Sequence, residues 1–167
     1  MAFEQVNLTD LPLNPFAAIG RDWMLVTAGD EGKANTMTAS WGGMGVLWGQ
    51  EVAFVFIRPQ RYTKEFVDAK GKFSLCFFDG YKKEMGLLGS VSGRDRDKIA
   101  ETGMQLTYLD GVPVFAEARL ALLAKTLYTD DIKPEKFFTE EICKQWYAEQ
   151  DYHTVYVAKI LAAYAAK

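Results

Sequence analysis

The stretch Asn35-Thr36-Met37-Thr38-Ala39-Ser40-Trp41, followed by the turn Arg58-Pro59-Gln60-Arg61-Tyr62-Thr63-Lys64, decides the reading of this chain. Side chains of a strand alternate between its faces with period two. Thr36, Thr38 and Ser40 are therefore expected on one face, and Asn35, Met37 and Ala39 on the other. Three small hydroxyls in a row can donate to and accept from a flat polar ligand. Arg58 and Arg61 carry fixed charge and fork-shaped donors suited to phosphate. Thr63 is placed to cap a helix over Lys64 to Lys70 that ends at Gly71, and a helix N-terminus offers free N–H groups to an anion. Together the two segments describe a place for a planar ring with a phosphate tail. The plainer alternative is an ordinary strand followed by a surface helix with solvated charges.

Composition bounds the classes. At 167 residues, one domain spanning 1–167 is expected. Hydrophobic residues are 49% and charged residues 25%, ordinary for a globular chain that buries a core. The net charge of −3 gives no basic field for nucleic acid. Cys76 and Cys143 lie far apart with no disulfide framework, which points to a reducing, cytoplasmic setting. The first residues show neither a basic n-region nor an apolar h-region, so no signal peptide is expected, and no apolar run is long enough to span a bilayer. One histidine and two separated cysteines supply no cluster of soft metal ligands, so no metal site is expected.

Working outward, residues 1 to 20 read as a loop-rich lead interrupted by Pro12 and Pro15. Trp23 to Thr27 and Asn35 to Trp41 read as strands around a Gly29 to Lys33 turn. Gly42 to Gly49 reads as a flexible loop, because Gly45 is followed by Trp48 where a dinucleotide fingerprint needs glycine. Val52 to Ile57 and Lys72 to Phe78 are apolar runs, as in strands buried on both faces. Asp79 is placed to cap a short helix through Met85 to Leu88, and Asp95 to Thr102 reads as a helix closed by Gly103. Val114 to Thr126 reads as one long strand with Val114, Ala116, Ala118, Leu120, Leu122 and Ala124 on one face. A helix around Pro134, another from Thr139 and a last strand from Thr154 to Tyr164 complete the chain. The fold class is mainly β with inserted helices (α+β), arranged as a barrel with decorations.

Asn35 to Ser40, the Arg58 to Thr63 turn, Ser92-Gly93-Arg94-Asp95-Arg96-Asp97-Lys98 and Asp151-Tyr152-His153 resemble the flavin reductase family, over about Trp23 to Leu161. The resemblance implies an FMN-binding split β-barrel: a homodimeric, six-stranded Greek-key barrel with FMN near the subunit interface. It implies that Thr36 to Trp41 line the isoalloxazine and ribityl chain, and that Arg58 to Lys64 hold the phosphate. The segment's Asn35, and Pro59, Gln60, Arg61, Thr63 and Lys64 of the turn, enter the cofactor set on that basis. Arg94 reaches the phosphate or the partner subunit in the same reading, or else belongs to a solvated helix start. His153 lies near the nicotinamide side by resemblance, and is a strand-start residue bonded to backbone on the plainer reading.

The activity so implied is hydride transfer from NADH or NADPH to flavin, then to free flavin, a ferric chelate or a redox protein. The protein's part in such chemistry is position and electrostatics. Two other readings stay open: an electron carrier that holds FMN tightly and is reduced by a protein partner, and a flavin-free binding barrel. Trp41 and Trp48, flanking the glycine-rich stretch, stand where many family members have small or aliphatic residues. Indoles there narrow the space above a flavin and leave the reductant open.

Overall fold

The computed structural model describes residues 2–167. Its strands are β1 (Phe3–Val6), β2 (Met24–Gly29), β3 (Ala34–Ala39), β4 (Gly42–Leu47), β5 (Gln50–Ile57), β6 (Lys72–Phe77), β7 (Leu106–Leu109), β8 (Val112–Phe115), β9 (Leu120–Asp131) and β10 (Thr154–Ala166). Its helices are α1 (Tyr62–Lys70), α2 (Lys82–Ser90), α3 (Lys98–Thr102) and α4 (Glu140–Trp146), with shorter helical turns between.

β2, β6 and the first half of β9 bury both faces, so apolar residues fall on successive positions and not only on alternate ones. Met24, Val26, Phe73, Leu75, Phe77, Leu120 and Leu122 point inward to a core shared with Val55, Ile57 and Tyr156 of β5 and β10. The intervening Leu25, Cys76, Ala121 and Leu123 point outward to a second core under α2 and the β7–β8 hairpin. Ser74, also outward, donates to the Pro113 carbonyl of that hairpin at 2.6 Å. Burial pushes the Cys76 thiol up to about 11, so it behaves as an inert core residue.

The main sheet runs β3-β2-β6-β9-β10-β5-β4, all antiparallel, with β1 added on β10. After β5 the chain crosses through α1 to β6, the Greek-key connection of a split barrel. Eight strands take part, where the family resemblance implies six. The reason is the length of β10: its first half pairs with β5 and its last residues, Ala163 to Ala166, pair with Phe3–Val6. Two register shifts in the β9–β10 ladder let so long a pair bend.

Several expectations are corrected. The lead is ordered, with β1 and a π-helical turn over Phe16–Arg21, because β10 offers an open edge to pair with. Gly42–Leu47 is a strand: ladder bonds to β5 outweigh the glycines' freedom, and Trp48 and Gly49, both at positive φ (54° and 67°), make the two-residue hairpin turn. The long strand Val114 to Thr126 is two strands broken at residues 116–119. Its alternation runs through the break because Ala118 is buried in the turn itself. α1 starts two residues before Lys64, with Arg61 at its cap position, and ends at left-handed Gly71 as expected. α2 starts after Tyr81, so Asp79 does not cap it; Asp79 pairs instead with Arg119. α3 starts at Lys98, three residues late, because the Asp97 side chain accepts from Ala100 N–H as its cap. The helical turn at Pro134–Lys136 and α4, capped by Thr139, are where the sequence puts them. No helix among the described residues is long and apolar enough to cross a membrane.

The inner core yields a direct measurement. Phe73 is fully enclosed. Phe73→Ala is expected to destabilise the fold by about 3–5 kcal/mol in urea or guanidinium unfolding, the range for truncating a buried aromatic. A loss below about 1 kcal/mol contradicts the packing described.

Candidate functional site

β3 pairs with β2 along one edge only. Its other edge borders a cleft, because β4, the next strand in the chain, pairs with β5 instead. An unpaired edge presents free N–H and C=O groups on alternate residues. The cleft consists of two adjoining hollows of about 170 and 380 Å³ that share Met37, Arg58 and Arg61. The smaller is lined by Met37 to Trp41, Phe56 and His153, the larger by Asn35, Gln60, Tyr62 and Thr63 together with residues 90–93, Lys98 and Asp151.

Thr36 and Thr38 share a face as expected, yet their hydroxyls are taken up within the protein. Thr36 is fully buried; its hydroxyl lies 2.8 Å from Thr27 Oγ1 and donates to the Val26 carbonyl. Thr38 Oγ1 donates to the Met85 carbonyl of α2 at 2.5 Å. Thr36 thus ties the edge strand to β2 beside it, and Thr38 ties it to α2 behind it. That approach is close: a Cβ at Gly89 would meet Thr38 Cβ at 3.0 Å. Asn35 and Met37, on the other face, line the cleft with exposed Ser40 and Trp41.

The larger hollow is cationic. Arg61 donates to the Gly89 carbonyl at 2.5 Å, and Lys98 Nζ donates to the Leu88 and Val91 carbonyls at 2.7 and 2.9 Å. Both therefore sit at the C-terminal end of α2, where cations are favoured. Neither is paired with a carboxylate among the described residues. Burial, and then the charge of Arg61, bring the Lys98 ammonium down to about 8. Burial and the Arg58 charge likewise disfavour the Arg61 cation. An anion placed between them relieves both. Gly93 closes this end: a Cβ there would lie 2.1 Å from Asn35 Oδ1, so the loop comes close only as glycine.

Arg58 plays a different part. Its guanidinium meets Asp151 Oδ1 at 2.6 Å, donates to the Trp146 carbonyl at 2.9 Å and lies 5.1 Å from the Tyr147 ring centroid. Gln60 Nε2 donates to the second Asp151 oxygen at 2.7 Å. The charge of Arg58 is thus neutralised, and the side chain latches the segment before β10 onto the barrel.

Thr63 lines the larger hollow, whereas Lys64, Arg94 and Pro59 lie off the cleft. Thr63 is the second residue of α1 rather than its cap, and accepts from Asn35 Nδ2 at 2.9 Å. Lys64 pairs with Asp68 at 2.8 Å over the Tyr156 ring. Arg94 pairs with Glu65, donates to the Gln60 carbonyl and stacks on Tyr62, while Pro59 lines neither hollow. Phe56, Ser90 and Val91 line the cleft without a local sequence signal, because packing between distant elements brings them there. Lys98 had a signal in the Ser92 to Lys98 motif.

His153 borders the smaller hollow with Trp41, 5.4 Å between ring centroids, and Nδ1 lies 2.8 Å from the Tyr147 hydroxyl. Its carbonyl accepts from Ile132 N–H, so the backbone role and the cleft position hold together. Burial, and then the Arg58 charge, bring its imidazole down to about 4, so it is neutral at physiological pH. Trp48 packs on Tyr128 away from the cleft, leaving Trp41 as the indole that faces it.

Comparison with known proteins agrees with this architecture. A family model described as a flavin reductase like domain matches residues 16–167. No curated protein matches the chain. An FMN-binding domain of a flavin reductases-like enzyme from Shewanella baltica OS155 is similar over 98% of this chain and 77% of its own, with TM-score 0.70 and 20% identity. Flavoredoxin from Methanosarcina acetivorans is similar over 87% of this chain and 69% of its own, with TM-score 0.66 and 25% identity. Flavoredoxin of Desulfovibrio vulgaris (Miyazaki F) is similar over 98% and 78%, with TM-score 0.69 and 20% identity.

His153 is the chain's one histidine, so its titration is directly readable. Unfolded, it titrates near its ordinary value of about 6.5; folded, near about 4. Between those values the unfolded state binds more protons. Stability from this group is therefore complete above about pH 6.5 and is lost as pH falls toward 4. NMR of the imidazole is expected to show no protonation above pH 5, and His153→Asn to remove part of the stability loss over that window. An imidazole titrating near 6.5 in the folded protein contradicts the burial described.

Proposed function

The chain belongs to the flavin reductase like domain family, and on that premise we propose that its cleft holds FMN and serves hydride transfer from NADH or NADPH. The acceptor in this reading is free flavin, a ferric chelate or another redox partner, and the working form is a homodimer. The observation that carries it is the pair of cations, Arg61 and Lys98, neither paired with a carboxylate, in a cleft whose wall is an unpaired strand edge and whose lining acid, Asp151, is taken up by Arg58 and Gln60.

The residues present fit the cofactor. Arg61 and Lys98 suit a phosphate, and the Gly93 cradle admits a group close to backbone. Free backbone groups of β3 suit the polar edge of a planar ring, with Trp41 and Phe56 excluding water from its face. When bound, FMN supplies a ring that takes up a hydride and releases electrons onward. Neutral His153, held by Tyr147, contributes shape and polarity at the ring rather than a charge. Arg58, neutralised by Asp151, keeps the aromatic segment in place and leaves the phosphate to Arg61 and Lys98. The alternative of a carrier reduced by a protein partner draws support from Trp41, whose edge contact with Trp146 at 4.9 Å crowds one side of the cleft.

Two experiments test the reading. An anaerobic visible spectrum of the FMN-loaded protein should bleach within turnover time on adding NADH or NADPH. Bound flavin that stays oxidised supports the carrier, and absence of bound flavin overturns both. For the phosphate site, Arg61→Ala is expected to lower FMN affinity roughly tenfold to a hundredfold and leave riboflavin affinity nearly unchanged, since a charge-assisted contact contributes about 1.5–3 kcal/mol. Arg58→Gln should keep the preference for FMN over riboflavin. Calorimetric titration of the wild type and both variants with FMN and with riboflavin decides it, and an Arg61→Ala variant that keeps the full preference moves the phosphate elsewhere.

A further inference from the structure

A second hollow, of about 310 Å³, lies beside the cleft under the segment that Arg58 latches. The two share a wall made by Trp41, Phe56 and His153. Its remaining lining comes from Ile132, Phe137, Ile142, Trp146 and Tyr147, all from the chain between β9 and β10. No acid, lysine or arginine lines it, whereas Arg58 and Arg61 line the cleft on the other side of the wall.

We propose that this hollow is the binding site for a small, planar, uncharged aromatic molecule, the second substrate of the cleft. The charge partition argues it. An anionic substrate is drawn to the guanidinium side, and an ion of either sign entering the hollow loses its water without gaining a partner. A neutral ring loses little and gains dispersion contacts with indole, phenyl and isoleucine surfaces. The volume is at the small end of ligand pockets and suits one or two fused rings. Edge-to-face packing of Trp41 on Trp146, and the bond between Tyr147 and His153 Nδ1, give the hollow firm walls.

As the electron acceptor, the molecule rests on the reading of the cleft given above. A naphthoquinone there takes up two electrons passed across the shared wall of Trp41, Phe56 and His153 and two protons to become the hydroquinone, while the reduced nicotinamide gives up two electrons and one proton and solvent supplies the second proton. Occupancy of the hollow does not rest on that reading and is measured separately.

The experiment is calorimetric titration of the full chain, with and without FMN, using 2-naphthol and naphthalene-2-sulfonate, which share a ring system and differ in charge at pH 7. Shifts of the His153 ring signals report occupancy next to the shared wall. Expected are saturable 2-naphthol binding with His153 shifts and at least tenfold weaker binding of the sulfonate. Ile142→Trp, which fills the hollow from its α4 side, should weaken 2-naphthol at least tenfold and leave FMN affinity unchanged. Equal binding of both compounds, or binding that Ile142→Trp leaves intact, overturns the proposal. So does a dimer, seen by sedimentation, that binds no 2-naphthol, since the hollow is then covered by a second copy. Should Ile142→Trp fail to fold, the comparison of the two compounds on the wild-type chain still decides. Failure of FMN to bind while 2-naphthol does removes the acceptor role and leaves the neutral-ring site standing.

Discussion

Burial of both faces of β2, β6 and β9 is the constraint on which the rest depends. Inward residues such as Val26, Leu75 and Leu122 close the barrel, and the alternate residues Leu25, Cys76 and Leu123 are equally apolar. The outer face therefore needs a cover, which α2, α3 and the β7–β8 hairpin provide. Covering that face brings α2 against β3, and its C-terminal carbonyls against Arg61 and Lys98. The cationic end of the cleft is a consequence of how the outer core is packed.

The cleft itself comes from a strand edge that finds no partner. β4 follows β3 after a two-residue link yet turns away to pair with β5, so the barrel stays split at this point. An open edge is ordinarily a mobile one. Here Thr36 holds it to β2 through Thr27 and the Val26 carbonyl, and Thr38 holds it from behind through the Met85 carbonyl of α2. The hydroxyls that look like ligand groups in the sequence serve to make the open edge rigid, and leave its backbone groups to face the cleft.

Charge divides the site into three zones. Arg58 is neutralised by Asp151 and acts as a clasp for the aromatic segment. Arg61 and Lys98 keep their charge uncompensated and define the end suited to phosphate. Beyond Trp41 and His153 the lining is uncharged and aromatic. These zones lie within a few side chains of one another, and each excludes the ligands that suit its neighbours.

What the sequence by itself determined was whatever rests on local pattern. Continuous apolar runs place β5 and β6, and Gly71, Gly103 and Thr139 mark helix ends because their roles depend on neighbouring backbone alone. The motifs around Asn35, Arg58, Ser92 and His153 are legible for the same reason, and the fold gathers residues of each at one cleft. Partner choice was decided only by the tertiary structure. Arg58 and Arg61 are three residues apart and chemically identical, and one meets Asp151 while the other meets a helix end. Thr36 and Thr38 share a face, and β2 takes the first hydroxyl and α2 the second, while Ser40, just past the end of β3, borders the cleft. Phe56 and Ile142 border one hollow from elements far apart in the chain. A side chain's charge and shape are written at its own position, but the free energy of its contacts depends on what the fold brings beside it.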